Sequence, residues 1–248
     1  MKFTKPAGKK FDLFDDMADQ PHLLVAGATG SGKSVVINGI ISNLMYRFPG
    51  DDLGDAKLIL IDPKRVELSM YKNLPHTIRY ASEPADMLAA LAEAMAITEQ
   101  RFQTMQRQGV RKYRGSDIYV IIDEFADLMT TQRRAVVPLI QRLAQIGRAA
   151  RVHIILATQT PIAKILPTEI KCNFDARVGL RTRSDQDSRN IIGKSGLEEL
   201  PRYGCGYYMK PGEEGYWKIP YVKDEELERL ANHWTNQYRG WKRLFKIV

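Results

Sequence analysis

Apolar residues along this chain fall into two kinds of run. Short runs with almost no polar alternation, at 22–26, 57–61, 118–122, 152–157 and 176–180, read as β-strands covered on both faces. Longer stretches repeat at helical spacing. One runs from Val35 to Tyr46 and stops near Phe48-Pro49-Gly50. A second runs from Pro84 to Gln108, with Met87, Leu88, Leu91, Met95, Phe102 and Met105 on its apolar stripe. Ser82 or Glu83 is the expected cap there, with Pro84 in the first turn. A third helix is expected over 133–147, interrupted early by Pro138, and a short one over 184–192, capped by Ser184. Glycines and tyrosines from Tyr203 to Met209, followed by Tyr216 to Ile219, predict a terminal hairpin. A last helix is expected from Glu225 to Trp234, leading into a basic tail that carries Trp241. Strands alternating with helices predict an α/β fold, a mostly parallel sheet flanked by helices and joined by right-handed crossovers.

The polar stretches punctuate this pattern. Residues 1–20 read as a lead-in arm with one short strand, and Asp51-Asp52-Leu53-Gly54-Asp55 as an acidic linker. The strand over 57–61 ends in Asp62-Pro63-Lys64-Arg65, because Pro63 cannot continue a ladder. Polar side chains therefore collect at a C-terminal strand edge, where ligands bind in open α/β sheets. Arg111-Lys112-Tyr113-Arg114 is a basic loop, read as solvated or as touching a phosphate backbone. The expected division is an arm over 1–20, a main domain over 21–222 and a C-terminal helix and tail over 223–248.

Composition narrows the class. At 248 residues and 44% hydrophobic, the chain can bury the core of one large α/β domain or two small ones. The net charge of +8 suits a polyanionic partner such as nucleic acid or a membrane surface. Cys172 and Cys205 lie far apart, in neither a disulfide nor a zinc pattern. The start lacks the apolar stretch of a signal peptide, and no apolar run is long enough to span a bilayer, so a cytoplasmic setting is expected.

Chemistry concentrates at Gly27-Ala28-Thr29-Gly30-Ser31-Gly32-Lys33-Ser34, the pattern G-x-x-x-x-G-K-[ST] of a phosphate-binding P-loop. It follows a predicted strand and opens a predicted helix, the context the motif requires. Glycines permit the positive-φ turns that wrap backbone N–H groups around an anion. Lys33 is expected to neutralise the β- and γ-phosphates of ATP, and Ser34 to offer its hydroxyl to Mg²⁺. Asp123-Glu124, at the end of the strand over 118–122, supplies the second half. Asp123 is expected to hold Mg²⁺, and Glu124 to orient and deprotonate an attacking water. The alternative for this pair is a charge feature at a helix N-terminus. Gln159 reaches the γ-phosphate zone if its strand lies beside the P-loop strand; otherwise it is a turn residue. Arg142, Arg148 and Arg151 are candidates for a cation facing the transferring phosphoryl group, or ordinary surface arginines.

Taken together, His22 through Ser34, Ile61-Asp62-Pro63-Lys64, Asp123-Glu124-Phe125-Ala126-Asp127-Leu128-Met129, Arg142-Leu143-Ala144-Gln145, Arg148-Ala149-Ala150, Ala157-Thr158-Gln159 and Asp187-Ser188-Arg189 resemble the FtsK/SpoIIIE family of DNA translocases, in family order from about Pro21 to about Val222. The resemblance implies a RecA-like ATPase domain in a hexameric ring around double-stranded DNA. It implies Arg148 as a finger acting on a neighbour's nucleotide, Gln159 as the sensor, and DNA-facing loops after Gln159 and around 184–189. Arg189 is the retained DNA contact, with Arg181 and Arg183 close by and Lys164 in the first loop. Two positions depart from the family pattern: Thr160 stands where arginine usually follows the glutamine, and Asp185 where lysine is common. Chromosomal members also carry a membrane segment and a winged helix, for which 248 residues leave no room, so a motor core or a compact relative is expected. A conjugative or packaging ATPase, a protein-secretion ATPase and a nucleotide-dependent switch are the other readings.

Overall fold

The computed structural model describes residues 3–4, 10–11, 20–47, 56–218 and 221–244. The expected helix stop at 48–50, the linker over 51–55 and the end of the tail at 245–248 lie outside them, as does most of the lead-in arm.

In chain order the strands are β1 (Phe3–Thr4), β2 (Lys10–Phe11), β3 (His22–Ala26), β4 (Ala56–Ile61), β5 (Thr77–Ala81), β6 (Asp117–Ile122), β7 (Val152–Thr158), β8 (Ala176–Leu180), β9 (Cys205–Lys210) and β10 (Glu213–Lys218). The helices are α1 (Lys33–Arg47), α2 (Pro84–Gln108), α3 (Phe125–Ala150), α4 (Thr168–Lys171), α5 (Asp185–Ile192) and α6 (Asp224–Leu244). All strands join one sheet in the order β2-β1-β10-β9-β8-β3-β7-β6-β4-β5. From β8 to β5 the pairings are parallel; β9, β10, β1 and β2 extend the β8 edge antiparallel.

The unalternating strand sequences follow from two separate cores. Leu24, Ala26, Ile59, Ile61, Val120, Ile122, Ile154 and Leu156 face the cluster under α2 and α3. Their neighbours Leu23, Val25, Leu58, Leu60, Tyr119, Ile121, Ile155 and Ala157 face the cluster under α1 and α6. Both faces are covered, so both parities are apolar. Each fully buried leucine or isoleucine contributes about 1.5–3 kcal/mol. The C-terminal helix is part of this packing, since Leu227 and Ala231 sit in the second cluster.

Ser184 caps α5 as expected, its hydroxyl accepting from the Asp187 N–H. Other details differ. Glu83 occupies the cap position of α2 without a capping hydrogen bond and pairs with Arg65 instead. Helix α3 begins at Phe125, directly after the acidic pair, and its backbone breaks at Gln132 (φ −139°, ψ 26°) rather than at Pro138, which the helix carries. The Gln132 side chain donates to the Pro84 carbonyl at 2.6 Å, tying the kink to the start of α2. Strand β5, a half-buried edge, and the two short N-terminal strands in place of one were not expected. Among the described residues no helix is long and apolar enough to cross a membrane. Cys172 and Cys205 are both free thiols.

Candidate active site

Strand order brings the motifs together. β3 lies between β7 and β8, and β6 is the next strand beyond β7. Ala26 is level with Thr158 on one side and Gly179 on the other, and Ile122 is level with Leu156. The loops leaving β3, β6, β7, β8 and β4 therefore open onto one edge of the sheet. This proximity of β7 to the P-loop strand is the condition under which Gln159 was expected to reach the phosphate zone.

The P-loop is built tightly. Gly30 and Gly32 take φ of 74° and 100°, a region that disfavours a Cβ. Gly27 is needed for close approach: a Cβ there would lie 2.6 Å from the Leu180 Cβ and 2.7 Å from the Ser31 Oγ. The Gly27 N–H donates to the Thr158 carbonyl at 3.3 Å and the Ala28 N–H to the Arg181 carbonyl at 2.8 Å, so β7 and β8 both hold the loop.

Lys33 and Asp123, ninety residues apart in sequence, are in contact. The Lys33 ammonium donates to the Asp123 carbonyl at 2.9 Å and forms a short ion pair with its carboxylate. Both side chains are almost fully buried. Burial pushes the Asp123 carboxyl up, while Lys33 draws it down. The Asp123 Oδ2 is buried without a hydrogen-bond partner among the described residues. Together with the Ser34 hydroxyl at the start of α1, that oxygen fits a hard cation which takes oxygen ligands and completes its shell with phosphate and water. Among the described residues there is no cluster of three or more His, Cys, Asp or Glu able to hold a metal alone, and such a shared site needs none.

Glu124 is 2% exposed and held on both oxygens. Oε1 accepts from the Thr158 hydroxyl at 2.9 Å and the Gln159 N–H at 3.1 Å; Oε2 accepts from Lys64 at 3.2 Å. The Thr29 hydroxyl of the P-loop in turn donates to Gln159 Oε1 at 2.8 Å. One chain of hydrogen bonds thus runs from the P-loop through Gln159 to Glu124. Lys64 and Thr158 were given no role from sequence. The signal for Lys64 was its place at the end of β4, the strand beside β6. Asp62 braces that loop, its Oδ2 accepting from the Leu68 N–H at 3.0 Å.

Beside Lys33, Ser34 and Val35 a cavity of about 700 Å³ is closed by Tyr203, Gly204 and Tyr221. Its size suits a nucleoside. Both tyrosines are largely exposed, and nothing in their sequence context pointed to the P-loop.

The arginines separate. Arg151 binds the Asp117 carboxylate through Nε and Nη2 at the opposite edge of the sheet, a structural role. Arg142 and Arg148 are exposed on α3. Arg148 lies in the last turn of α3, before the start of β7. Seven residues of β7 at about 3.3 Å each put it roughly 20 Å from its own P-loop. Of the expected DNA contacts, Arg189 is exposed on α5 and pairs with Asp185 at 3.4 Å. Lys164 is exposed in the loop after β7, its carbonyl accepting from Arg133. Arg181 and Arg183 do not join these two; they line a cavity against the P-loop.

Comparison with known proteins agrees with this arrangement. The profile of the FtsK/SpoIIIE family matches residues 8–117 and 114–163. A DNA translocase FtsK of Pseudomonas syringae pv. tomato is 36% identical over 260 aligned residues, covering 90% of this chain and 32% of the relative. The chain spans about a third of the length of the curated relatives it matches. The solved structure of the pCW3 conjugation coupling protein TcpA, in its monomer form with ATPγS, aligns with a TM-score of 0.79 at 21% identity, over 94% of this chain and 69% of that one. The cytoplasmic domain of the Thermomonospora curvata type VII secretion ATPase EccC aligns with a TM-score of 0.78 at 20% identity, over 94% of this chain and 30% of that one. At these identities the two structures share the fold.

Proposed function

The chain belongs to the FtsK/SpoIIIE family, and from that premise we propose that it is the motor portion of a translocase that hydrolyses ATP to drive double-stranded DNA through a homo-hexameric ring in the cytoplasm. Residues 21–222 form the motor domain in this reading. One observation carries it: Lys33, Asp123, Glu124 and Gln159, which follow three separate strands, meet at the P-loop through hydrogen bonds.

The P-loop N–H groups and Lys33 take up the negative charge of the triphosphate. Ser34 and Asp123 would hold Mg²⁺, which would screen the phosphate oxygens and polarise the terminal phosphoryl group. Glu124 orients a water and accepts its proton as the bond from the γ-phosphorus to the bridging oxygen breaks. The Thr29–Gln159–Glu124 chain links the P-loop to the loop that begins at Thr160, so phosphate occupancy is transmitted toward the DNA-facing segment that holds Lys164. Arg148, out of reach of its own P-loop, serves the nucleotide of the next subunit.

Duplex DNA at low salt is expected to stimulate ATP turnover, and Lys33→Ala to abolish nucleotide binding. Turnover that ignores DNA under those conditions would refute the translocase. A second reading, a transfer or secretion ATPase acting on another polymer, is favoured by the reduced positive charge of the loops. Thr160 follows Gln159, and Asp185 neutralises Arg189. Stronger stimulation by single strands or by peptide selects it.

A further inference from the structure

Beside the P-loop lies a cavity of about 500 Å³ whose rim carries Arg181, Arg183 and Arg202. All are exposed, and among the described residues none has an ion pair or a side-chain hydrogen bond. The one carboxylate on the rim, Glu198, accepts from the Gly196 N–H at 2.9 Å. Uncompensated guanidinium groups around one cavity repel each other, and they do so against a loop whose own N–H groups favour an anion. This edge is built to receive more than one negative charge.

Two of the arginines are placed for a specific anion. Arg202 lies over the P-loop: the heavy atoms nearest to a Cβ built on Gly30 are its Nη2 at 3.7 Å and its Nε at 3.9 Å. Its guanidinium carbon is 5.4 Å from the centre of the Tyr203 ring, and Tyr203 closes the neighbouring nucleoside-sized cavity. Arg183 also lines a cleft with Glu124, Gln159 and Thr29, where the terminal phosphate and the attacking water belong. That cleft also carries Asp187, with which Arg183 forms no ion pair. The two cavities, about 230 and 500 Å³, match a phosphate tail in size rather than a duplex.

We propose that Arg183 and Arg202 clamp the terminal phosphate of the nucleotide from within the same subunit, on the flank of the P-loop away from Lys33. This rests on the P-loop reading above and moves Arg183 from DNA to nucleotide. A cis clamp makes nucleoside triphosphate recognition independent of a neighbouring subunit, leaving Arg148 for the transition state alone.

Calorimetric titration of ATPγS and of ADP into wild type, Arg183→Gln, Arg202→Gln and Arg202→Lys, at one salt concentration, tests the clamp. Each glutamine variant is expected to weaken ATPγS about tenfold or more and ADP less than about threefold, because a charge-assisted bond to the terminal phosphate is lost. The lysine variant is expected to recover part of the loss, with thermal midpoints unchanged for these exposed positions. Duplex affinity and its salt dependence, measured on the same variants, should not move. An unchanged preference for ATPγS over ADP overturns the clamp. So does a loss confined to duplex binding, with the salt slope falling by about one per contact, which assigns the arginines to nucleic acid. Wild type and Lys33→Ala separate the two levels. If wild type binds neither nucleotide, the P-loop reading falls and the clamp with it; if only Lys33→Ala fails to bind, the clamp alone is at stake.

Discussion

The two ends of strand β6 use the same residue types for opposite purposes. At its start, Asp117 is met by Arg151 through two bonds and by His153 Nε2 at 2.8 Å. Buried Arg101 donates to the Ala150 carbonyl at 2.7 Å and the Arg151 carbonyl at 3.2 Å, closing the end of α3. Arg151 itself takes a left-handed conformation, φ 56°, that a non-glycine residue adopts at a cost of about 1–2 kcal/mol. Its bonds to Asp117 hold it there. After the other end of β6, Asp123 keeps a buried oxygen that has no hydrogen-bond partner among the described residues, and so does the Ser31 Oγ in the P-loop. Three arginines on the P-loop flank have no ion pair among the described residues. The Asp117 cluster is complete in itself, and the P-loop edge keeps polar groups that a ligand can satisfy. Satisfaction of polar groups, more than their identity, separates a stabilising cluster from a site.

The comparison breaks most visibly if Arg148 matters. It sits at the closed edge, is exposed, and makes no side-chain bond there among the described residues. Arg148→Ala should leave the denaturation midpoint and ATPγS affinity unchanged while turnover falls by about 10³–10⁵, the range for a finger acting in trans. Mixing it with Lys33→Ala subunits should poison the assembly. Normal turnover in Arg148→Ala would place all the chemistry at the open edge.

Next in size is Glu124→Gln, which keeps shape and the contacts with Thr158 and Gln159 but cannot take a proton. Turnover should drop by about 10²–10⁴ with nucleotide still bound. A single-turnover assay separates this from slow product release. Asp117→Asn is the counterpart at the closed edge. It removes the charge that Arg151 and His153 share, and Arg151 is partly exposed, so the loss should be about 2 kcal/mol rather than the larger penalty of a fully buried pair. The urea midpoint should fall with its slope unchanged, and turnover per folded molecule should stay the same. A turnover defect without a stability defect would erase the distinction between the two edges.

How much of this was readable beforehand follows the same division. The buried strands and α2 were readable because apolar parity and helical spacing are local properties. The P-loop and Asp123-Glu124 were readable because their chemistry is contiguous. Strand β5 was not, since Thr77, Arg79 and Tyr80 at a half-buried edge carry no continuous apolar signal. The first turns of α3 were hidden behind the acidic pair, and Pro138 drew attention away from the break at Gln132. Contacts that depend on strand order were out of reach: Lys64 with Glu124 across sixty residues, Thr29 with Gln159 across 130, and Asp117 with Arg151 and His153. Arg183 follows β8 and Arg202 precedes β9, so their gathering at the P-loop depends on β8 lying beside β3 and β9 beside β8, which no local pattern announces.

The smallest effect concerns mild acid, and it tests whether the buried start of β3 is closed to protons. His22 begins β3 at that edge, and the Ile154 N–H donates to its Nδ1 at 3.1 Å, which requires that nitrogen to be unprotonated. Burial, reinforced by repulsion from His153, lowers the His22 pKa from 6.5 to about 3. Below 6.5 the unfolded chain takes up a proton that the folded chain refuses, so stability falls as the pH drops. Between pH 7.5 and 6 the loss should stay under about 1 kcal/mol, and it should steepen below that. Asp117 adds a second decline at lower pH. Burial alone would raise its carboxyl, but bonds from Arg151 and His153 hold it at about 2 against an ordinary 3.8, so its contribution is present above 3.8 and lost as the pH falls toward 2. Urea midpoints measured from pH 7.5 to 2 should therefore fall from below pH 6.5 onward, with Asp117→Asn removing only the part of the decline below pH 3.8. A flat profile from pH 7 to 4 would mean that His22 accepts its proton in the folded chain, and that the buried start of β3 has room for charge.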